Sequence, residues 1–385
     1  MTLQRAADQG RTASLRSRPL TPFVTNTNAL VIAKVYGMGK KSLITLIAGT
    51  AVLLTAAASI FLLESLLHVY FFATNGYWLF LGRDNFKAPY VKLVEDRRQY
   101  SLRENVRDGT VSVNSEGFRG RPFHPDDRRP VLCVIGDSVP FGAGVNDDET
   151  FPVHLQRALN ERGFAYRVLN AGVPSYNLRQ SLDRWRIDVR PRYDCKVIIL
   201  NAANDVSLIA YYKNAWTPDL TWADIRFGIR GVYLSSIVYF AKSLATSRAG
   251  DINADQLNNI IDTLRHDFLA QLAQIQIPII LLPINVCIYT NLPIEDSRNA
   301  VSCRAAKTYY IEYGGAWGSI IKSLNSMLRG VREEGIYFFD TNTLLDEATG
   351  REEKFVDFVH LSDQGARVIA EYLANELIER SLVKR

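Results

Sequence analysis

From Val131 onward, short apolar runs alternate with longer amphipathic ones. The runs at 131–135, 167–171, 196–201, 277–283 and 336–340 are rich in Val, Ile and Leu and have the length of buried strands. Between and after them, residues 152–162, 177–190, 256–274, 316–333 and 363–382 read as helices. Pro152 suits the first turn of its helix. Ser362 followed by Asp363 forms an N-terminal cap for the last one. Strands separated by helices predict a parallel sheet covered on both faces. The expected fold class is α/β, a flavodoxin-like three-layer α/β/α sandwich with a five-stranded parallel sheet. The alternation breaks at about 206–250, which carries Tyr211, Tyr212, Trp216, Trp222, Phe227, Tyr233, Tyr239 and Phe240. This insertion is expected either to wall a binding site or to pack a small helical core of its own.

Before Val131 the pattern differs. Ser42 to Leu63 is free of charge over 22 residues. As a helix it would reach roughly 33 Å, enough to cross a bilayer. Lys40, Lys41 and the basic tail before them place that end in the cytoplasm and the following chain outside. The expected organisation is a basic cytoplasmic tail at 1–41, disordered over 1–37, and a transmembrane signal anchor at 42–63. A juxtamembrane aromatic segment and connector follow at 64–128, with the α/β domain at 129–385. Two alternatives stay open: cleavage after Ala56-Ala57-Ala58, and a translation start at Met38. Tyr70, Phe71, Phe72, Tyr77, Trp78 and Phe80 fit an interfacial belt. Residues 82–130 read as a partly ordered connector, with turns around Asn114 to Gly120.

Composition narrows this little. Hydrophobic residues make up 47% of the 385, which is ordinary for a globular chain with room for one membrane segment. Of the net charge of +5, the first 41 residues hold +6, so nothing beyond the tail suggests a nucleic-acid surface. The four cysteines have no zinc spacing. Cys133 lies in the first strand and should be buried. Cys287 and Cys303 flank a loop after the fourth strand and could pair across it in an oxidising compartment; the sequence leaves that pairing open. Cys195 has no evident partner.

Chemistry concentrates at strand ends. Val131 to Ile135 leads into Gly136-Asp137-Ser138, and in open α/β sheets ligands bind outside the carboxyl ends of strands. A serine there is a nucleophile if a base reaches it. Of the five histidines, His68 lies in the aromatic belt, His124 in the connector, and His154 and His266 on helices. His360 lies in a loop before the last helix, with Asp357 three residues upstream, a spacing that brings a carboxylate to an imidazole nitrogen. Gly172, after the second strand, offers an N–H. Asn204, after the third, offers a side-chain amide. Ser138, Gly172 and Asn204 are thus expected to converge at one sheet edge.

These four stations, Gly136-Asp137-Ser138, Gly172, Asn204-Asp205 and Asp357-x-x-His360, closely resemble the SGNH hydrolases, also called GDSL esterases/lipases. The Asn114 to Gly120 stretch is similar to a segment preceding the domain in membrane-anchored relatives. The resemblance implies catalytic Ser138, His360 and Asp357, with an oxyanion hole from the Ser138 N–H, the Gly172 N–H and the Asn204 side chain. No cofactor and no metal are expected, since the sequence has no Gly-rich phosphate loop and no His-Glu-x-x-His helix. Two positions depart from the family pattern: Ala202 where glycine is usual, and Val139 where leucine is common. The expected function is an outward-facing, membrane-anchored serine esterase or deacylase. It would cleave O-acyl esters on a carbohydrate or lipid through an acyl-serine. The same residues would serve an O-acetyltransferase of envelope or extracellular polysaccharide, which would need an acyl-donor membrane partner. A catalytically silent envelope scaffold is the third alternative.

Overall fold

The structure, a computed structural model, describes residues 39–75, 90–202, 204–222, 237, 252–287, 316–345 and 352–385. The expectations for the 1–37 tail, for Tyr77, Trp78 and Phe80, for most of the 206–250 insertion and for Cys303 fall outside the described residues. The chain divides into two compact units at Leu63/Glu64.

Helix α1 (Lys40–Asn75) is continuous over 36 residues. Its stretch Lys41–Tyr70 is long and apolar enough to cross a membrane. Of the sixteen exposed large hydrophobic side chains among the described residues, thirteen lie on α1 between Ile44 and Tyr70. In the second unit, Glu64 and His68 are buried. His68 Nε2 lies 3.2 Å from Glu64 Oε1, and Glu64 Oε2 accepts the Ile237 N–H at 2.8 Å.

The expected connector contains two antiparallel hairpins. Strand β1 (Val91–Leu93) pairs with β2 (Tyr100–Leu102), and β3 (Val106–Asp108) pairs with β4 (Val111–Val113). Tyr100, Leu102 and Val113 form a buried cluster with Phe141, Val173 and Tyr176, so this segment closes over the sandwich that follows.

That sandwich begins with β5 (Val131–Gly136), the short helix α2 (Ser138–Phe141) and α3 (Phe151–Glu161). Next come β6 (Arg167–Asn170), α4 (Leu178–Arg184), β7 (Cys195–Asn201) and α5 (Asn204–Tyr212). The chain continues through α6 (Ala254–Leu272), β8 (Ile279–Leu281), α7 (Ala316–Arg329) and β9 (Ile336–Phe338). It ends with α8 (Asn342–Leu345) and α9 (Asp363–Glu379). The helix expected at 177–190 changes character midway, with a π-helical turn over Trp185–Val189.

The five long-range strands pair in parallel in the order β6-β5-β7-β8-β9. Alternation along β5 feeds two cores. Cys133 and Ile135 pack with Leu182 of α4, Phe268 of α6 and Ile320 of α7. Leu132 and Val134 pack with Leu155 of α3 and Leu373 of α9. Both faces are therefore sealed, the condition for an all-parallel sheet. Counting sheet strands along the chain, the order is 2-1-3-4-5. The chain reverses its direction of winding between β5 and β7, which places the binding crevice at their carboxyl ends.

One cysteine expectation is corrected. Cys195 is not without a partner: it forms a disulfide with Cys133, 62 residues away. Cys195 starts β7 opposite Val131 of the neighbouring β5, so the strand order itself brings the two sulfurs together. Cys133 is fully buried, as expected. Cys287 is also disulfide-bonded.

Candidate active site

The site grows from the turn after β5. Gly136 has φ +146°, and a Cβ there would fall 1.7 Å from the Asn201 carbonyl oxygen of β7. Only glycine lets the two strand ends approach this closely. Asp137 follows as the N-cap of α2: its Oδ1 accepts the Val139 N–H at 2.8 Å. Ser138 is therefore the first residue of a one-turn helix that starts at the winding reversal, and its own N–H belongs to the set with no intrahelical partner.

His360 arrives from the opposite end of the chain. An antiparallel bridge between Phe355 and Leu361, and a Val356 N–H to His360 carbonyl bond of 2.9 Å, shape its loop. Ser362 then caps α9 by accepting the Gly365 N–H. In this frame His360 Nε2 lies 2.7 Å from Ser138 Oγ, and His360 Nδ1 lies 2.6 Å from Asp357 Oδ2. The other oxygen of Asp357 accepts the Val359 and His360 N–H groups at 2.9 and 2.8 Å. Partial burial alone would raise the Asp357 carboxyl. The His360 bond and charge and those two backbone donors outweigh it and hold the group below its ordinary value. Asp357 thus stays a carboxylate and fixes the tautomer with Nε2 facing the serine.

The other two expected residues reach the same turn. Gly172 lies flat against α2: a Cβ there would fall 2.4 Å from the Phe141 nitrogen and 2.9 Å from the Asp137 carbonyl oxygen. Its N–H donates to Asn170 Oδ1 at 3.2 Å. Asn204, the first residue of α5, donates through Nδ2 to Asp137 Oδ2 at 3.0 Å and to the Tyr176 carbonyl at 3.3 Å. Its Oδ1 accepts the Trp222 indole N–H at 3.1 Å. All five expected residues therefore meet around the Asp137–Ser138 turn. Both expected oxyanion donors beyond Ser138 already hold internal partners.

Sequence reasoning did not assign Asp137, Asp205 or Trp222. Asp137 had a readable signal, a carboxylate immediately before a helix start. Trp222 had none beyond its place in the aromatic insertion, because its contact with Asn204 is tertiary. Asp205 is fully buried beneath the site and accepts the Leu178 N–H at 2.8 Å. Desolvation pushes its carboxyl up to about 7, the neighbouring charges of Asp137 and Asp267 add to the rise, and the backbone donors oppose it.

A family profile described as GDSL-like lipase/acylhydrolase matches residues 134–368. Among solved structures, the chain is similar to a lipase/acylhydrolase from Enterococcus faecalis at 14% identity. That alignment covers 66% of this chain and 97% of the other, with a TM-score of 0.38. It is similar to a G-D-S-L family protein from Veillonella parvula at 14% identity, covering 66% and 99%, with a TM-score of 0.38. A third is a catalytic mutant of an acetylxylan esterase from Geobacillus stearothermophilus, at 16% identity, 64% and 94% coverage and a TM-score of 0.35. No protein with a curated description matches. Because the profile spans more than half of the residues and begins inside β5, the chain belongs to the GDSL-like lipase/acylhydrolase family and is a hydrolase of ester bonds.

Proposed function

We propose that this protein is a membrane-anchored, outward-facing serine esterase that removes O-acyl groups from a carbohydrate or lipid. The observation that carries the reading is the continuous relay from Asp357 through His360 to Ser138. A serine hydroxyl is a weak nucleophile until a base takes its proton. Nε2 of His360 is within reach of that proton. Ser138 Oγ attacks the ester carbonyl as His360 accepts the proton, and Asp357 stabilises the imidazolium that results. His360 then returns the proton to the departing alcohol. Water, deprotonated by the same imidazole, attacks the acyl-serine and releases the acid.

The negative oxygen formed at each attack needs preorganised donors. The Ser138 N–H, the Gly172 N–H and the Asn204 amide are assigned that role. For the last two, the oxyanion takes the place of a neutral acceptor already present, Asn170 Oδ1 for Gly172 and the Tyr176 carbonyl for Asn204. A charged acceptor makes the stronger bond, so the exchange favours the transition state.

The anchor rests on the exposed apolar surface of α1 and on Lys40 and Lys41 at its start. Outward orientation rests on the Cys133–Cys195 disulfide, a bond that persists in oxidising compartments. The test is labelling of the full chain on spheroplasts with a membrane-impermeant fluorophosphonate, followed by mass spectrometry. The expected result is an adduct on Ser138 that is absent from Ser138→Ala. Labelling only after lysis would reverse the orientation and leave the nucleophile standing. No adduct in either condition would overturn the nucleophile.

A further inference from the structure

Helix α2 is one turn long, and so short a helix has almost no stability of its own. Yet it must keep Ser138 Oγ at hydrogen-bond distance from His360 Nε2, 2.7 Å away. Its amino end is tied by Asp137. Its carboxyl end is tied by Arg119, which lies before the start of the family match at 134.

Arg119 is buried against that end. Nη1 donates to the Phe141 and Gly142 carbonyls at 2.7 and 2.5 Å, and Nη2 donates to the Val145 carbonyl at 2.7 Å. Nε bonds Asp147 Oδ1 at 3.0 Å, and the guanidinium carbon lies 4.7 Å from the Phe141 ring centroid. The positive fork therefore meets carbonyls at and just beyond the carboxyl end of α2, where a cation is favoured. Arg119 is itself fixed. It bridges Val113 of β4, and the preceding turn is closed by Asn114 Oδ1, which accepts the Glu116 and Phe118 N–H groups. The contact also reaches the oxyanion side. The Phe141 carbonyl accepts Asn170 Nδ2 at 3.3 Å, and Asn170 Oδ1 accepts the Gly172 N–H.

We propose that Arg119 is a positioning residue for ester hydrolysis: it sets the register of the Ser138 turn against His360 and, through the Phe141 carbonyl and Asn170, the aim of the Gly172 N–H. The proposal rests on the reading of Ser138 as nucleophile. Arginine is required because three carbonyls converge on one planar fork, and a lysine ammonium is a single point of charge with no such geometry.

The test uses the full chain in detergent, as wild type, Arg119→Lys and Arg119→Ala. It measures the melting temperature, kcat and KM for p-nitrophenyl acetate, and the rate of fluorophosphonate labelling at Ser138. Arg119→Lys is expected to fold and to lose about tenfold or more in kcat, with KM within about twofold and labelling slowed by a similar factor. Small misplacements of reacting groups can cost on the order of 10²-fold. A folded variant with kcat and labelling within about twofold of wild type overturns the proposal. So does loss of folding in both variants, which assigns Arg119 to stability alone. Absence of Ser138 labelling in the wild type would instead show that the nucleophile assignment is wrong, and the proposal would fall with it.

Discussion

His360 Nε2 lies 2.7 Å from Ser138 Oγ, although 222 positions separate the two residues along the chain. Asp357 holds the other ring nitrogen, and its carboxyl is kept low by His360 and two backbone N–H groups despite partial burial. Asp357→Asn would present an amide that can settle the ring in the wrong tautomer. The expected loss in kcat is on the order of 10³- to 10⁴-fold with the fold intact. Steady-state turnover with circular dichroism checks it. A loss below tenfold would remove Asp357 from the relay.

Asn204 and Trp222 form a second coupled pair. Asn204→Ala should cost about 10²–10³ in kcat with KM little changed, the usual effect of deleting an oxyanion donor. Trp222→Phe keeps an aromatic side chain but removes the indole N–H that Asn204 Oδ1 accepts, so the amide loses one of the three bonds that orient it. It should cost about tenfold alone and nothing further in the Asn204→Ala background. Independent, multiplying effects in the double variant would show that Trp222 acts elsewhere.

Asp205 makes stability depend on pH. Its carboxyl is raised to about 7 in the folded protein from an ordinary 3.8. The folded state therefore holds a proton that the unfolded state gives up at lower pH. The contribution is fully present below about 4 and is lost as pH rises through about 7. Asp205→Asn cannot ionise. Relative to wild type, its melting temperature should rise by several °C between pH 5 and pH 8, at ~2–4 °C for each kcal/mol. A constant difference across that range would show that Asp205 is not protonated in the native protein.

The Cys133–Cys195 bond closes a loop of 62 residues. Replacing both cysteines by alanine should lower stability by ~2–4 kcal/mol, read from denaturant midpoints, with the parallel strand order retained. Thiol titration of unreduced, denatured wild type should find neither sulfur free. A reactive Cys133 or Cys195 would contradict the pairing.

The sandwich was legible because each of its elements carries its own period. The strands expected at 131–135 and 196–201 are observed at Val131–Gly136 and Cys195–Asn201, and the last helix begins at Asp363 behind its Ser362 cap. The hairpins over 91–113 were not legible, because three-residue strands are too short to show an alternation. What holds them is tertiary: Tyr100 and Tyr176 stack edge to face, and Arg184, deeply buried, bonds Ser101 and the Gly117 carbonyl. The site was readable wherever a strand end carried a polar residue, as at Ser138 and Asn204. It was opaque where a side chain arrives from elsewhere, as Arg119 and Trp222 do. The disulfide lay between these cases. Cys133 sits in an expected strand and Cys195 immediately before another, and the flavodoxin-like order makes those strands neighbours.

That bond also bears on how an exported chain would mature. The cysteines occur along the chain in the order 133, 195, 287 and 303. With the amino end retained in the cytoplasm, the segment beyond the anchor would emerge from the membrane in that same sequence. Cys133 would meet Cys195 before either later sulfur is available. Pairing consecutive thiols as they appear then gives the native Cys133–Cys195 connection at the first attempt, and its assembly would need an oxidant but no reshuffling enzyme.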